Sequence, residues 1–159
     1  MQLPIRIVTD NPLDPQVRQM IAESDEYYSD LYPAESNHLF DPVSLCAPNI
    51  SFYAARRGED IVGFGAVVAM DGYGEIKRMF VDPKARGEGV GRRLLEEIER
   101  RAVALGLPVL RLETGVRQPE AISLYRTHGF HEIAPFGDYK IDPLSLFMEK
   151  NLPTQMAIS

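Results

Sequence analysis

A chain of 159 residues, 45% hydrophobic and 25% charged, is long enough to bury one core without help from disulfides or metal. Its formal net charge of −6 argues against a large phosphate-backbone footprint, and so against nucleic acid as a partner. The lone cysteine, Cys46, excludes an internal disulfide framework and reads as a small buried hydrophobe rather than a nucleophile.

Residues 3–8 read as a short first strand, and residues 10–14 can cap the helix after them. Over residues 15–31, Val17, Met20, Ile21, Tyr27, Tyr28 and Leu31 recur at roughly helical spacing. Pro33, Pro42 and Pro48 then break residues 33–49, leaving room for one short helix near residues 38–46. Residues 50–55, 61–70 and 75–81 read as three sequential antiparallel strands, joined by turns at residues 56–60 and 71–74. A polar, glycine-bearing loop opens into a strong helix over residues 90–105. Its Val90, Leu94, Leu95, Ile98, Ala102 and Leu105 recur at three-four spacing, and Glu96–Arg100 and Glu97–Arg101 are placed to pair on the wet face. Gly106 and Pro108 stop it.

A strand over residues 108–113 comes next, then a helix over residues 119–128 with Pro119 in its first turn and Gly129 just past its end. Residues 130–133 and 144–148 finish as strands, and residues 152–159 read as a frayed tail. No repeat or linker divides the chain. The expected fold is one α/β domain over residues 1–151, a central mixed, mostly antiparallel sheet flanked by helices. No apolar run approaches the ~18 residues of a membrane span. The start of the chain lacks the charged and apolar regions of a signal peptide, so a soluble cytoplasmic protein without a membrane partner is expected.

The informative stretch is Arg86-Gly87-Glu88-Gly89-Val90-Gly91-Arg92, between a strand and the strong helix. Three glycines at alternate positions let backbone N–H groups converge on an anion, and the helix start adds unpaired donors and the positive end of its dipole. A phosphate cradle of this kind needs no metal. A P-loop would need Lys followed by Ser or Thr after the last glycine, where Arg92 and Arg93 stand. A dinucleotide fingerprint would need Gly at position 92. Only Glu113, about 20 residues on, speaks for that reading. A purely structural strand-to-helix turn is the bland alternative.

The pattern Arg86, Gly89 and Gly91 resembles the Arg/Gln-x-x-Gly-x-Gly/Ala signature of the GNAT superfamily of acyl-CoA-dependent N-acyltransferases. Ala121, Leu124, Tyr125, Gly129 and Phe130 resemble that family's second segment, A-x-x-L-Y-x-x-x-G-F. The resemblance covers residues 75–130. It implies acetyl-CoA as co-substrate, its pyrophosphate resting on backbone from Arg86 to Arg92. The pantetheine arm would pair with backbone of Met79 and Val81, on either side of Phe80, in a gap where the residue 75–81 strand splays from the residue 108–113 strand. Gln118 holds the place where the family usually carries Asn.

The resemblance further implies that Tyr125 protonates the departing thiolate, against the alternative of a core tyrosine with a satisfied hydroxyl. Glu113 and Glu75 stand at positions that different branches use for the base. For each, pairing with Lys77, Arg78 or Arg111 is the structural alternative. Tyr32, Asn37 and His38 fall in the segment that borders the acceptor pocket in the family. Residues 32–38 and 112–115 also resemble a bacterial subgroup named after indole-acetic-acid acetyltransferases, a label that assigns no substrate. The implied reaction is acetyl transfer to a primary amine of a small molecule, amino acid or peptide N-terminus, by direct attack in a ternary complex. The competing class is a non-catalytic CoA-binding module that lost its acid and base. The oligomeric state, a homodimer included, stays open.

Overall fold

Apolar runs with no polar face along the middle strands, residues 52–55 and 61–68, call for a sheet buried on both faces, and that is how the chain folds. The computed structural model describes residues 3–34 and 41–153. The strands are β1 (Ile5–Thr9), β2 (Ile50–Arg57), β3 (Asp60–Ala69), β4 (Gly74–Val81), β5 (Val109–Gly115), β6 (His131–Ile133) and β7 (Ser145–Asn151). The helices are α1 (Pro15–Leu31), α2 (Val90–Ala104) and α3 (Pro119–Thr127). One seven-stranded sheet runs in the order β1-β2-β3-β4-β5-β7-β6. Only β4 and β5 pair in parallel. The expected mixed, mostly antiparallel sheet is therefore present.

Successive side chains of a strand point to opposite faces. Phe52, Ala54, Phe64, Ala66 and Phe80 accordingly pack with Val17, Ile21 and Tyr28 of α1. Tyr53, Ala55, Val67 and Ile76 pack with Leu94, Leu95 and Ile98 of α2. Asp14 starts α1 by accepting from the amides of Gln16 and Val17, a cap worth about 1 kcal/mol. No helix among the described residues is long and apolar enough to cross a membrane.

One feature of β4 positions the site and has no signature in the sequence. Between the pairs Phe64↔Phe80 and Ala66↔Lys77, β4 carries one more residue than β3. This bulge places Arg78 at φ +60°, a conformation uncommon outside glycine. The buried Arg78 guanidinium ties the bulge to α1, bonding Asp25 Oδ1 (2.6 Å), Ser24 Oγ (3.0 Å) and the Ile21 carbonyl (3.3 Å). Beyond the bulge β4 leaves β5. Their pairing is confined to Gly74↔Leu110, Glu75↔Arg111 and Ile76↔Leu112. The expected gap between the two strands results.

Three expectations need correction. Cys46 is exposed, because the short 3-10 turn Ser44–Cys46 turns Leu45 into the core and leaves its neighbour outside. On α2 the ion pairs are Arg92–Glu96 and Glu97–Arg100, while Arg101 reaches across to Ser51 Oγ on β2. The pairing of Glu75 or Glu113 with Arg78 or Arg111 does not form either, since Arg78 is held by α1 and Arg111 by Glu149 of β7 at 2.7 Å. At the end of the chain the Leu152 amide still donates to the Pro108 carbonyl at 2.9 Å. Most of the expected tail, residues 154–159, lies outside the described residues. Of the short helix expected near residues 38–46, residues 38–40 also lie outside them, and the described part holds only the 3-10 turn Ser44–Cys46.

Candidate active site

The cradle is built by backbone conformation. After β4, Asp82 caps a 3-10 turn, Pro83–Ala85, by accepting from the Lys84 amide at 3.0 Å. Gly87 (φ +84°) and Gly89 (φ +80°) then take left-handed conformations that bring the chain into α2. Gly89 is the N-cap of α2 and has no side chain to bond the first-turn amides, which stay available to a ligand. Gly91 serves a different purpose: a Cβ there would lie 3.0 Å from Leu124 Cδ2, so its lack of a side chain lets α2 approach α3.

A groove of about 300 Å³ runs from this cradle along β4. Arg86, Gly87, Gly89, Val90, Gly91, Arg92, Met79, Phe80, Val81 and Gln118 line it. Glu88 does not; its carboxylate turns back to Arg57 of β2, which keeps a negative charge out of the groove. Arg86 donates to the Tyr27 hydroxyl at 3.0 Å and stands 3.6 Å from Glu120, two contacts that bridge α1 and α3. The Tyr27 bond first, with the charge of Glu120 assisting, holds the Arg86 guanidinium above its ordinary pKa.

The backbone of β4 is open towards this groove. The Asp82 amide bonds the Val62 carbonyl at 2.9 Å, and antiparallel pairs alternate, so Val81 turns its own N–H and C=O away from β3. Met79 turns the same way, because its carbonyl accepts from the Tyr28 hydroxyl at 2.9 Å. Burial pushes the Tyr28 phenol up to about 12, against the opposing charge of Arg78.

Deeper in the gap lies an inner pocket of about 80 Å³. It shares Tyr28, Met79, Gln118 and Ala121 with the groove, and Tyr32, Lys77, Glu113, Tyr125 and Tyr139 are among its other walls. Tyr125, brought in by α3, is 4% exposed and packs edge-on against Phe130 at 5.5 Å. Burial raises its pKa well above the ordinary tyrosine value, with Tyr28 and Glu113 adding to the rise. No group among the described residues hydrogen-bonds its hydroxyl.

Glu113 lines the inner pocket and accepts from Ser145 Oγ at 2.7 Å. Glu75 does not line it. Its Oε2 accepts from the Tyr139 hydroxyl at 2.6 Å and stands 3.0 Å from Lys77 Nζ. The pairing of Glu75 with Lys77 weighed from the sequence is thus present. The sequence reading did not single out Tyr139, which lies in the aperiodic stretch between β6 and β7, nor Ser145, which opens β7 and carries no mark as a partner of Glu113. Lys77 was read only as a charge partner.

Tyr32 is a wall with a committed hydroxyl, which accepts from the Arg117 amide at 2.9 Å and donates to Gln118 Oε1 at 3.3 Å. Gln118 Oε1 also accepts from the Gly115 amide at 3.2 Å, so this side chain locks the turn into α3 as well as facing the groove. Asn37 and His38 lie outside the described residues. Gly115 exists to seat Tyr32, since a Cβ there would sit 1.8 Å from the tyrosine oxygen. Gly115→Ala should therefore displace the ring, break the Arg117 bond and cost about 1–3 kcal/mol in chemical denaturation. An unchanged midpoint would show that Tyr32 is not wedged there.

The comparisons with known proteins agree with this geometry. A family model described as the acetyltransferase (GNAT) family matches residues 17–130. An IAA acetyltransferase of Azospirillum brasilense is 56% identical over 151 residues, which cover 93% of this chain and 98% of that protein. The crystal structure of a candidate acyl-CoA N-acyltransferase from Klebsiella pneumoniae superposes with a TM-score of 0.80 at 35% identity, over 93% of this chain and 97% of that one. The PaiA N-acetyltransferase of Thermoplasma acidophilum, solved in complex with coenzyme A, shares the fold with a TM-score of 0.72 at 20% identity, over 94% and 99% of the two chains. The glycine cradle and the whole α3 segment that carries Tyr125 fall within the matched residues, and this chain belongs to the GNAT family of acetyltransferases.

Proposed function

We propose that this protein moves an acetyl group from acetyl-CoA to a primary amine of a small molecule, amino acid or peptide N-terminus, by direct attack in a ternary complex. The observation that carries the reading is the junction of groove and inner pocket at Tyr28, Met79, Gln118 and Ala121. A thioester arriving along β4 would meet an amine held in the inner pocket there. The uncapped start of α2 suits a pyrophosphate, and the Val81 backbone, turned away from β3, suits an amide-bearing arm, while the Met79 carbonyl beside it is already bonded by the Tyr28 hydroxyl. The relatives, among them an IAA acetyltransferase and an N-acetyltransferase solved with coenzyme A, point the same way.

In this reading the amine nitrogen attacks the thioester carbon, the new C–N bond forms and the C–S bond breaks. A glutamate, Glu113 or Glu75, takes the proton the amine loses, and Tyr125 supplies the proton the thiolate gains. The Tyr125 hydroxyl has no competing protein acceptor among the described residues, which suits a donor aimed into the pocket. Consumption of acetyl-CoA makes the cytoplasm the compartment of this reaction, and residues 1–151 would act as one catalytic domain.

Calorimetry with acetyl-CoA and a thiol-release assay over glycine, phenylalanine, tyramine and a free-N-terminus peptide test the proposal. At a hundred times its dissociation constant, acetyl-CoA should stabilise the native protein by about 2.7 kcal/mol, read as a higher melting temperature. If acetyl-CoA neither binds nor loses its acetyl group to any amine, the reading is wrong.

A further inference from the structure

The two glutamates differ in how the inner pocket reaches them. Glu113 is part of its wall. Glu75 is only 5% exposed, and two side chains that do line the pocket, Lys77 and Tyr139, stand against its carboxylate. Lys77 also donates to the Tyr139 hydroxyl, so the three groups form one hydrogen-bonded unit. Tyr139 belongs to the segment between β6 and β7, and its ring is clamped by Phe136 at 5.2 Å and Phe147 at 5.4 Å. Its hydroxyl is thereby a fixed link from the pocket to a carboxylate behind the wall.

Resting on the acetyl-transfer reading above, we propose that Tyr139 is a catalytic residue that carries the acceptor's proton to Glu75. As the amine bonds to the thioester carbon, its N–H bond breaks and the proton bonds to Tyr139 Oη. In the same event the Tyr139 O–H bond breaks and that proton bonds to Glu75 Oε2. The N–H electron pair stays on nitrogen as the lone pair of the new amide. Tyr139 ends as it began, a neutral phenol, and Glu75 ends as a carboxylic acid, to be emptied through the same hydroxyl once product leaves. Burial, and then the bond to Glu75, push the Tyr139 phenol far above its ordinary pKa. A standing phenolate is therefore disfavoured, and the two proton transfers belong to one event. Lys77 orients both oxygens, its ammonium touching each.

The test uses the full chain, acetyl-CoA, and whichever amine of the four-member panel the wild-type protein acetylates fastest. Tyr139→Phe keeps the ring in its aromatic seat, and Glu75→Gln keeps the shape of the carboxyl, so the second variant carries the test if the first does not fold. Each should lower kcat on the order of 10²-fold while acetyl-CoA affinity in calorimetry stays within about twofold of wild type. Because the two groups act in series, the double variant should be no slower than the slower single one. In mixtures of light and heavy water the wild-type rate should follow a bowed proton inventory, and each variant a straight one. Multiplying losses in the double variant would overturn the relay. So would a Tyr139→Phe rate within threefold of wild type beside a collapsed Glu113→Gln, which would make Glu113 the base. A wild-type protein that releases thiol with none of the four amines would instead overturn the acetyl-transfer reading, and the relay with it.

Discussion

Tyr125→Phe is expected to lower kcat on the order of 10²- to 10⁴-fold while acetyl-CoA affinity stays near its wild-type value. The substitution removes one oxygen and leaves the ring against Phe130. A buried tyrosine held in the core by a hydrogen bond would lose about 1 kcal/mol of stability on this change. Here no group among the described residues bonds the hydroxyl, so thermal melting should barely move, and any loss of rate must come from chemistry. The sign of the pH effect is set by burial. Burial raises the Tyr125 pKa, so the phenol keeps its proton to higher pH than the ordinary tyrosine value of about 10. The acid would therefore stay loaded through neutral and mildly alkaline conditions, and the alkaline fall in rate should begin above that value. In Tyr125→Phe that limb should vanish, leaving a low rate that no longer depends on a phenol. Full activity with an unchanged pH profile would assign protonation of the thiolate to solvent.

How much of this site the sequence could reveal depended on whether a residue acts through local pattern or through a distant partner. The cradle was legible because glycine spacing before an amphipathic helix is a local signal, and Gly87 and Gly89 do take positive φ. Tyr125 was legible because it sits in an ordered motif on a helix with clear ends. The apolar runs of β2 and β3, each bounded by a turn, were enough to order the strands. The bulge at Arg78 was not legible. It arises from register between β3 and β4, and its guanidinium finds its partners some fifty positions back, on α1. The inner pocket hid its second proton-handling unit for the same reason: Tyr139 lies in an aperiodic stretch, and only folding brings it to Glu75. Cys46 was misread because burial of a lone cysteine is a composition prior, whereas a 3-10 turn alternates faces on a local scale. Gly91, read as a third phosphate-contact glycine, proves to be needed for helix packing against Leu124 as well.

That last distinction decides which glycine tests the cradle cleanly. Gly89→Val should cut CoA affinity by at least about 10²-fold while the protein still folds. A β-branched residue is a strong outlier at φ +80°, with a strain of about 1–3 kcal/mol, so the backbone at the start of α2 must rotate. The added Cβ would also lie 3.3 Å from Arg92 Nη2 and displace that cation from the groove. Rotation turns the uncapped first-turn amides away from the point where they converge. Hydrogen bonds to a charged group contribute roughly 1.5–3 kcal/mol each, so losing two is enough for the expected drop. Gly91→Val is the poorer probe, because its side chain would press on Leu124 and disturb α3 before any ligand is present. Gly87→Asn should lose less than Gly89→Val: asparagine tolerates a positive φ, and a Cβ there meets nothing within 4 Å. Calorimetric titration of the three variants with CoA, beside their melting temperatures, separates strain from binding. A folded Gly89→Val protein that binds CoA with wild-type affinity would reduce the cradle to a strand-to-helix turn and leave the groove along β4 without its anion site.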